Sequence, residues 1–219
     1  MKKLLTFAII SFLFVNCGEG AKVRLLSASS GTAQSNISSS SRTNNTYIPT
    51  TGIYNESDSQ EIKFLKVINY ARSMPRECRN TNGMYNEPSR GFFKAAAPLE
   101  FNQDLYAAAL EHSIDLAKSS TFSHYGSGTA SDVTGSNLGH KSSFSERIKA
   151  NGYVNYSTIA ENIGAGQKTI EEVVHAWLES PGHCANLMNP KLKEVGVAKY
   201  VEPNSQYKVY WTSDFGARR

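Results

Sequence analysis

Charge of one sign, cysteine and long apolar runs are all scarce in this chain. The formal net charge is only +4 over 219 residues. Lys2 and Lys3 lie in a segment expected to be removed, which leaves +2. No basic stripe stands out, so nucleic acid is not expected as a partner. With three cysteines, at most one intrachain bridge is available. The one long apolar run, from Leu4 to Val15, is too short to span a bilayer as a mature helix. No internal repeat is visible, and no strong nucleophile motif supports covalent catalysis. What remains, from about Ser57 onward, is long enough to bury a hydrophobic core as one domain.

The first sixteen residues, MKKLLTFAIISFLFVN, place two lysines before the apolar run. This is the pattern of a secretory signal. Cys17 follows directly, in the position of the acylated cysteine of a bacterial lipobox. Residues 1–16 are therefore expected to be a lipoprotein signal peptide, with Cys17 as the lipidation site. Residues 17–58 are rich in Ser, Thr and Asn, with few groups able to bury, and read as a flexible tether. The folded domain is expected over 59–219. The resulting address is an exported lipoprotein, periplasmic or at the cell surface, joined to the membrane through Cys17.

Helix signals then follow in order. Ser57 to Gln60 reads as a capping box, with Ile62, Leu65 and Ile68 at helical spacing behind it, ending before Pro75. Asn102 reads as the cap of a second helix with the apolar face Leu105, Ala108, Ala109, His112 and Leu116. On that face His112 is expected to be a hydrogen-bonded core histidine. A Gly/Ser-rich loop to an exposed His140 precedes a capping box at Ser143–Glu146, and another stands at Thr169–Glu172. The helix after Thr169 should bury Ile170, Val173, Val174, Trp177 and Leu178, leaving His175 at the surface. Ser180-Pro181 reads as the start of one more short helix, stopped at Asn189-Pro190. After that the period changes to two. Val195, Val197 and Val201, then Val209, Trp211, Ser213 and Phe215, predict a β-hairpin. Helices followed by a small antiparallel sheet make an α+β layered domain.

The candidate chemistry gathers around Ala160–Pro190. His124, Glu161, Glu179 and His183 are two imidazoles and two carboxylates, a set suited to a divalent metal or to acid/base work. His183 is expected in the first turn of a helix, where the positive dipole end favours the neutral ring. The same four groups could equally pair with one another in a polar core, and spacing alone leaves these readings open.

At these residues the sequence resembles the bacterial CAP domains of the SCP/PR-1 superfamily. The resemblance rests on Phe122-Ser-His124, Ala160-Glu-Asn162 and Ser180-Pro-Gly-His183-Cys-Ala-Asn, and also on Pro98-Leu, His112-Ser-x-Asp115 and Tyr210-Trp-Thr. It extends from about Gln60 to Gly216 in the family's order. It implies a three-layer α-β-α sandwich with a small central antiparallel sheet, and an open cleft lined by a His/Glu/Glu/His tetrad. Carried over by motif, the tetrad is His124, Glu161, Glu179 and His183.

The resemblance also implies a disulfide between Cys78 and Cys184, as suits an exported chain. It implies ligand binding in the cleft, with lipid, cell-wall material or a host protein as candidate partners. Zn²⁺ or another divalent cation could be held by His124 and His183. The alternative is a hydrolase, a peptidase or esterase, with Glu161 and His183 as candidate catalytic residues.

Overall fold

The computed structural model describes residues 48–78 and 91–219. The signal segment, Cys17 and most of the expected tether lie outside the described residues. Packing begins upstream of Ser59, which corrects the end of the expected tether. Ile48 is a core residue, and Ile53 and Tyr54 pack against the same cluster. Tyr54 Oη donates to Glu171 Oε1 at 2.5 Å. These are the apolar side chains of an otherwise polar stretch, and each finds a place to bury.

Helix α1 (Gln60–Arg72) is capped by Ser59, whose Oγ accepts from Ile62 N at 3.4 Å. Ser57 is therefore not the cap. The buried face is also rotated from the expected one, to Phe64, Val67, Ile68 and Ala71, while Ile62 is 45% exposed. The reason is the aromatic contact. Phe64 lies edge-on to Trp211 with ring centroids 5.0 Å apart, and that larger apolar payload turns inward. Buried Arg72 donates to the carbonyls of Ala97, Leu187, Asn189 and Leu192, tying this helix to the end of a later one. Two short strands follow, β1 (Arg76–Glu77) and β2 (Phe92–Phe93), paired antiparallel.

Strand β3 (Glu100–Phe101) leads into α2 (Gln103–Ser119), capped by Asn102 as its side-chain type dictates. All of Leu105, Ala108, Ala109, His112 and Leu116 are buried on α2, as the periodicity requires. The Gly/Ser-rich loop contains a helix that its composition hides, α3 (Val133–Leu138). Asp132 caps it, accepting from Gly135 N at 3.0 Å. Helix α4 (Phe144–Ala150) carries the full capping box at Ser143 and Glu146. Strand β4 (Tyr156–Ala165), α5 (Ile170–Glu179), α6 (Pro181–Met188), β5 (Glu194–Val201) and β6 (Val209–Arg218) complete the domain.

The main sheet has the order β3-β5-β6-β4. β5, β6 and β4 run antiparallel, while the two-residue β3 runs parallel to β5. Strand alternation then divides the core into two. Val195, Val197, Trp211 and Phe215 face α1, α5 and α6. On the other face of the sheet lie the helices α2 and α4. This is the expected three-layer α+β arrangement. β4 is its edge strand, and that position creates the site.

One glycine sets the spacing of α2 on the sheet. A Cβ at Gly196 would overlap the backbone of Tyr106 and Leu105. Gly182, by contrast, faces open space. Gly196→Ala should therefore destabilise the domain by about 3 kcal/mol or more, as overpacking against backbone does. Gly182→Ala should stay within about 0.5 kcal/mol of the parent. Urea unfolding midpoints of the two variants check the contrast.

Candidate functional site

The site lies across the edge of β4, where the two helical layers meet. Successive residues of β4 point to opposite faces, so Glu161 and Asn162 serve different layers. Glu161 turns toward α2 and α4, where its carboxylate bonds two side chains. Arg147 Nη2 donates to Oε2 at 2.7 Å, and His124 Nδ1–H donates to Oε1 at 2.8 Å. Arg147 also donates to the His124 carbonyl at 3.0 Å and the Ser142 carbonyl at 3.1 Å. One buried guanidinium thus fixes both the carboxylate and the backbone of the loop that presents His124. In the tautomer that donates Nδ1–H to Glu161, Nε2 is the ring's acceptor.

Asn162 turns the other way and fixes α6. Its Nδ2 donates to the His183 carbonyl at 3.1 Å. Asn186 replies from α6, donating to Asn162 Oδ1 at 2.9 Å and to the Glu161 carbonyl at 3.2 Å. The Ala-Glu-Asn and Gly-His-Cys-Ala-Asn segments are thereby laced together by their amides. The outcome is that His124, from one layer, and His183, from the other, come within 6.0 Å between ring centroids. Cys78 and Cys184 form the expected disulfide, with Cα atoms 5.4 Å apart. It anchors the residue after β1 to the position beside His183. Ser180 occupies the cap position of α6 through its backbone alone, without a side-chain cap bond.

Glu179 does not join this group, which corrects the expected tetrad. It is 59% exposed and lies 3.6 Å from His175 Nε2, one turn back on α5. The helix period explains the placement. At 3.6 residues per turn, Glu179 falls roughly half a turn from the stripe of Ile170, Val174 and Trp177. Its place beside Glu161 is taken by Arg147, which sequence reading missed. The exposed positions of His175 and His140 are as expected.

His112 is the core histidine anticipated. Its Nε2–H donates to the Ser123 carbonyl at 2.9 Å, just before His124. Its Nδ1 is buried without a partner among the described residues. Sequence reading also missed Asp214, a buried acid on β6 opposite Glu161. The available signal was an aspartate inside the otherwise apolar and small run Val209–Ala217, where every other buried residue is uncharged.

Electrostatics set the form of each group. Burial, and next the charge of His124, push the His183 imidazole below its ordinary range, against the pull of Glu161. Burial does the same to His112. For Glu161, burial alone would raise the carboxyl. The hydrogen bond from His124, with the charge and hydrogen bond of Arg147, outweighs it and holds the group ionised. A histidine whose folded pKa is depressed binds fewer protons in the native than in the unfolded state. Stability is then full above the ordinary value of 6.5 and falls as pH drops below it. The urea midpoint should fall between pH 7 and pH 5, and His183→Gln should fall less steeply.

The two imidazoles are two metal donors, and Glu161 is already committed to His124 and Arg147. Among the described residues no group of three His, Cys, Asp or Glu side chains is placed to hold a metal ion. This donor set falls short of the three protein ligands that a catalytic zinc takes. The chemistry available is that of two imidazoles beside a fixed carboxylate.

A cavity of about 280 Å³ adjoins His183, lined also by Phe122, Ala165, Trp177, Ser180 and Tyr207. Phe122 and Tyr207 lie with ring centroids 6.0 Å apart. Three larger hollows, about 500, 470 and 330 Å³, lie against α1 and include neither histidine. Size favours those, but converging polar groups favour the smaller one.

The family described as "CAP: Cysteine-rich secretory protein family" matches residues 65–215. The chain belongs to this family. A relative is the "Uncharacterized protein YkwD" of Bacillus subtilis, 36% identical over 118 residues, which are 54% of this chain and 39% of that one. Among solved structures, an extracellular protein containing a SCP domain from Bacillus anthracis is 21% identical with a TM-score of 0.49. The alignment covers 73% of this chain and 40% of that one. An outer surface protein of Borrelia burgdorferi is 23% identical with a TM-score of 0.46, covering 57% of this chain and 80% of that one. The chain thus spans well under half of the curated relative's length. The matched range of this CAP domain contains His124, Glu161, Asn162, His183 and Asn186. No helix among the described residues is long and apolar enough to cross a membrane.

Proposed function

We propose that this CAP-domain protein is exported, anchored through Cys17, and binds a small amphipathic ligand in the cleft between His124 and His183. The observation that carries the reading is the junction of chemistries at one place. Two imidazoles from opposite layers stand 6.0 Å apart, and one of them lines an aromatic-walled cavity of about 280 Å³. A polar head would meet His124 Nε2 and His183, and an apolar group would meet Phe122, Tyr207 and Trp177. At the small end of ligand sites, that volume suits a single ring or a short chain. The export and anchor rest on the leader sequence and the lipobox cysteine.

A second reading is favoured by one feature. An imidazole oriented by a buried carboxylate is the geometry of a general base, and His124 on Glu161 has it at 2.8 Å. A hydrolase would use His124 to activate water, since the thiol beside His183 is tied up in the disulfide. The two readings separate in one set of measurements. An NMR binding screen of single-ring amides, phenols and short fatty acids should perturb His183, Ala176 and Tyr207, and lose the response in His124→Ala/His183→Ala. Perturbation confined to the hollows beside α1 would reject the cleft. Turnover of an ester and peptide panel, lost in His124→Ala, would replace binding with hydrolysis.

A further inference from the structure

Behind the cleft the chain buries a second carboxylic acid that none of the cleft's hydrogen bonds uses. Asp214 stands directly across the ladder from Glu161 and is 0% exposed. Directly opposed residues leave the same face of a sheet, about 5 Å apart at Cβ. Both acids therefore point into the layer of α2 and α4. Asp214's neighbour on β5 is Gly196, where α2 presses too close for any side chain. Neither carboxyl oxygen of Asp214 has a hydrogen-bond partner among the described residues.

The charges around it decide its state. Arg147 on α4 already donates to Glu161 Oε2 at 2.7 Å and to the loop carbonyls. On α2, Glu111 adds negative charge, and His112 is held neutral by burial. Gly196 on β5 contributes no side chain. A second buried anion without a partner is far costlier than a neutral acid, so the group keeps its proton. Burial first, then the charges of Glu161 and Glu111, raise it well above the usual carboxylate range, against the pull of Arg147.

We infer that Asp214 is a proton-carrying positioning residue: it stays neutral beside Glu161, leaves Glu161 the sole anion orienting His124, and stands as reserve counter-charge for Arg147. Removing the charge of Glu161 releases the Asp214 proton to solvent, and the resulting carboxylate takes over Arg147. This role is independent of what fills the cleft.

The test is carbon-detected NMR of the side-chain carboxyls in the full chain. In the parent protein the Asp214 carboxyl carbon should hold its protonated position from pH 5 to pH 7, while solvent-exposed carboxylates ionise. In Glu161→Gln at pH 7 it should move to the ionised position. In Asp214→Asn, His124 should retain its Nδ1–H tautomer at pH 7, because a neutral amide replaces a neutral acid. An ionised Asp214 in the parent at pH 7 overturns the inference, as does an Asp214 that stays protonated in folded Glu161→Gln. A changed His124 tautomer in folded Asp214→Asn does so too. Should Glu161→Gln fail to fold, the parent titration decides alone.

Discussion

Arg147→Met should lower the stability of the domain by about 3–5 kcal/mol, the cost of stripping the partner from a buried charge. The guanidinium and the Glu161 carboxylate are each about 1% exposed, so water cannot replace what the substitution removes. Arg147 also donates to Ser142 Oγ at 3.0 Å and to the carbonyls of Ser142 and His124. Methionine keeps the bulk but leaves those acceptors bare. Because single domains are stable by only about 5–15 kcal/mol, a loss of this size takes a large share of the total. The double substitution Arg147→Met/Glu161→Gln should recover part of it by removing the stranded anion. Urea unfolding at pH 7 of the single and double variants gives the comparison. Equal losses in both would show that the pair is incidental to folding.

Breaking the Cys78–Cys184 bridge should have an effect of the same order. It joins residues 106 positions apart, and a loop of that length corresponds to about 4–5 kcal/mol in the chain-entropy account. The loss enters through the unfolded chain, which gains freedom, more than through any folded contact. Cys78→Ser/Cys184→Ala should therefore unfold at markedly lower urea while keeping the native circular dichroism spectrum at low temperature. Reductant should shift the parent the same way and leave the variant unmoved. A variant as stable as the parent would sink the entropic assignment.

Much of this architecture could be read from residue order because local and global preferences agree there. Trp177 and its apolar neighbours fall at helical spacing behind Thr169, and the structure buries that stripe. The alternation around Trp211 and Phe215 gives a hairpin for the same reason. Periodicity failed where a single strong contact outranked it, as when Phe64 met Trp211 and rotated the face of α1. Glu179 entered the expected tetrad by motif alone, and the helical period that buries Trp177 turns that carboxylate outward. Arg147 and Asp214 escaped notice because their importance is non-local. Each matters through a partner brought beside it by sheet pairing or loop packing, and no spacing rule within one segment encodes that. Helix α3 was hidden by its Gly- and Ser-rich composition, with only the Asp132 cap to mark it.

The border location of β4 carries one last implication. A molecule lodged where the two imidazoles converge would clasp both helical sheaths at once, like a rivet through overlapping plates. Such an occupant adds its binding free energy to the folded state alone, so the melting temperature should climb with its concentration. Heat resistance therefore offers a way to screen for an occupant of the cleft without assuming its chemistry.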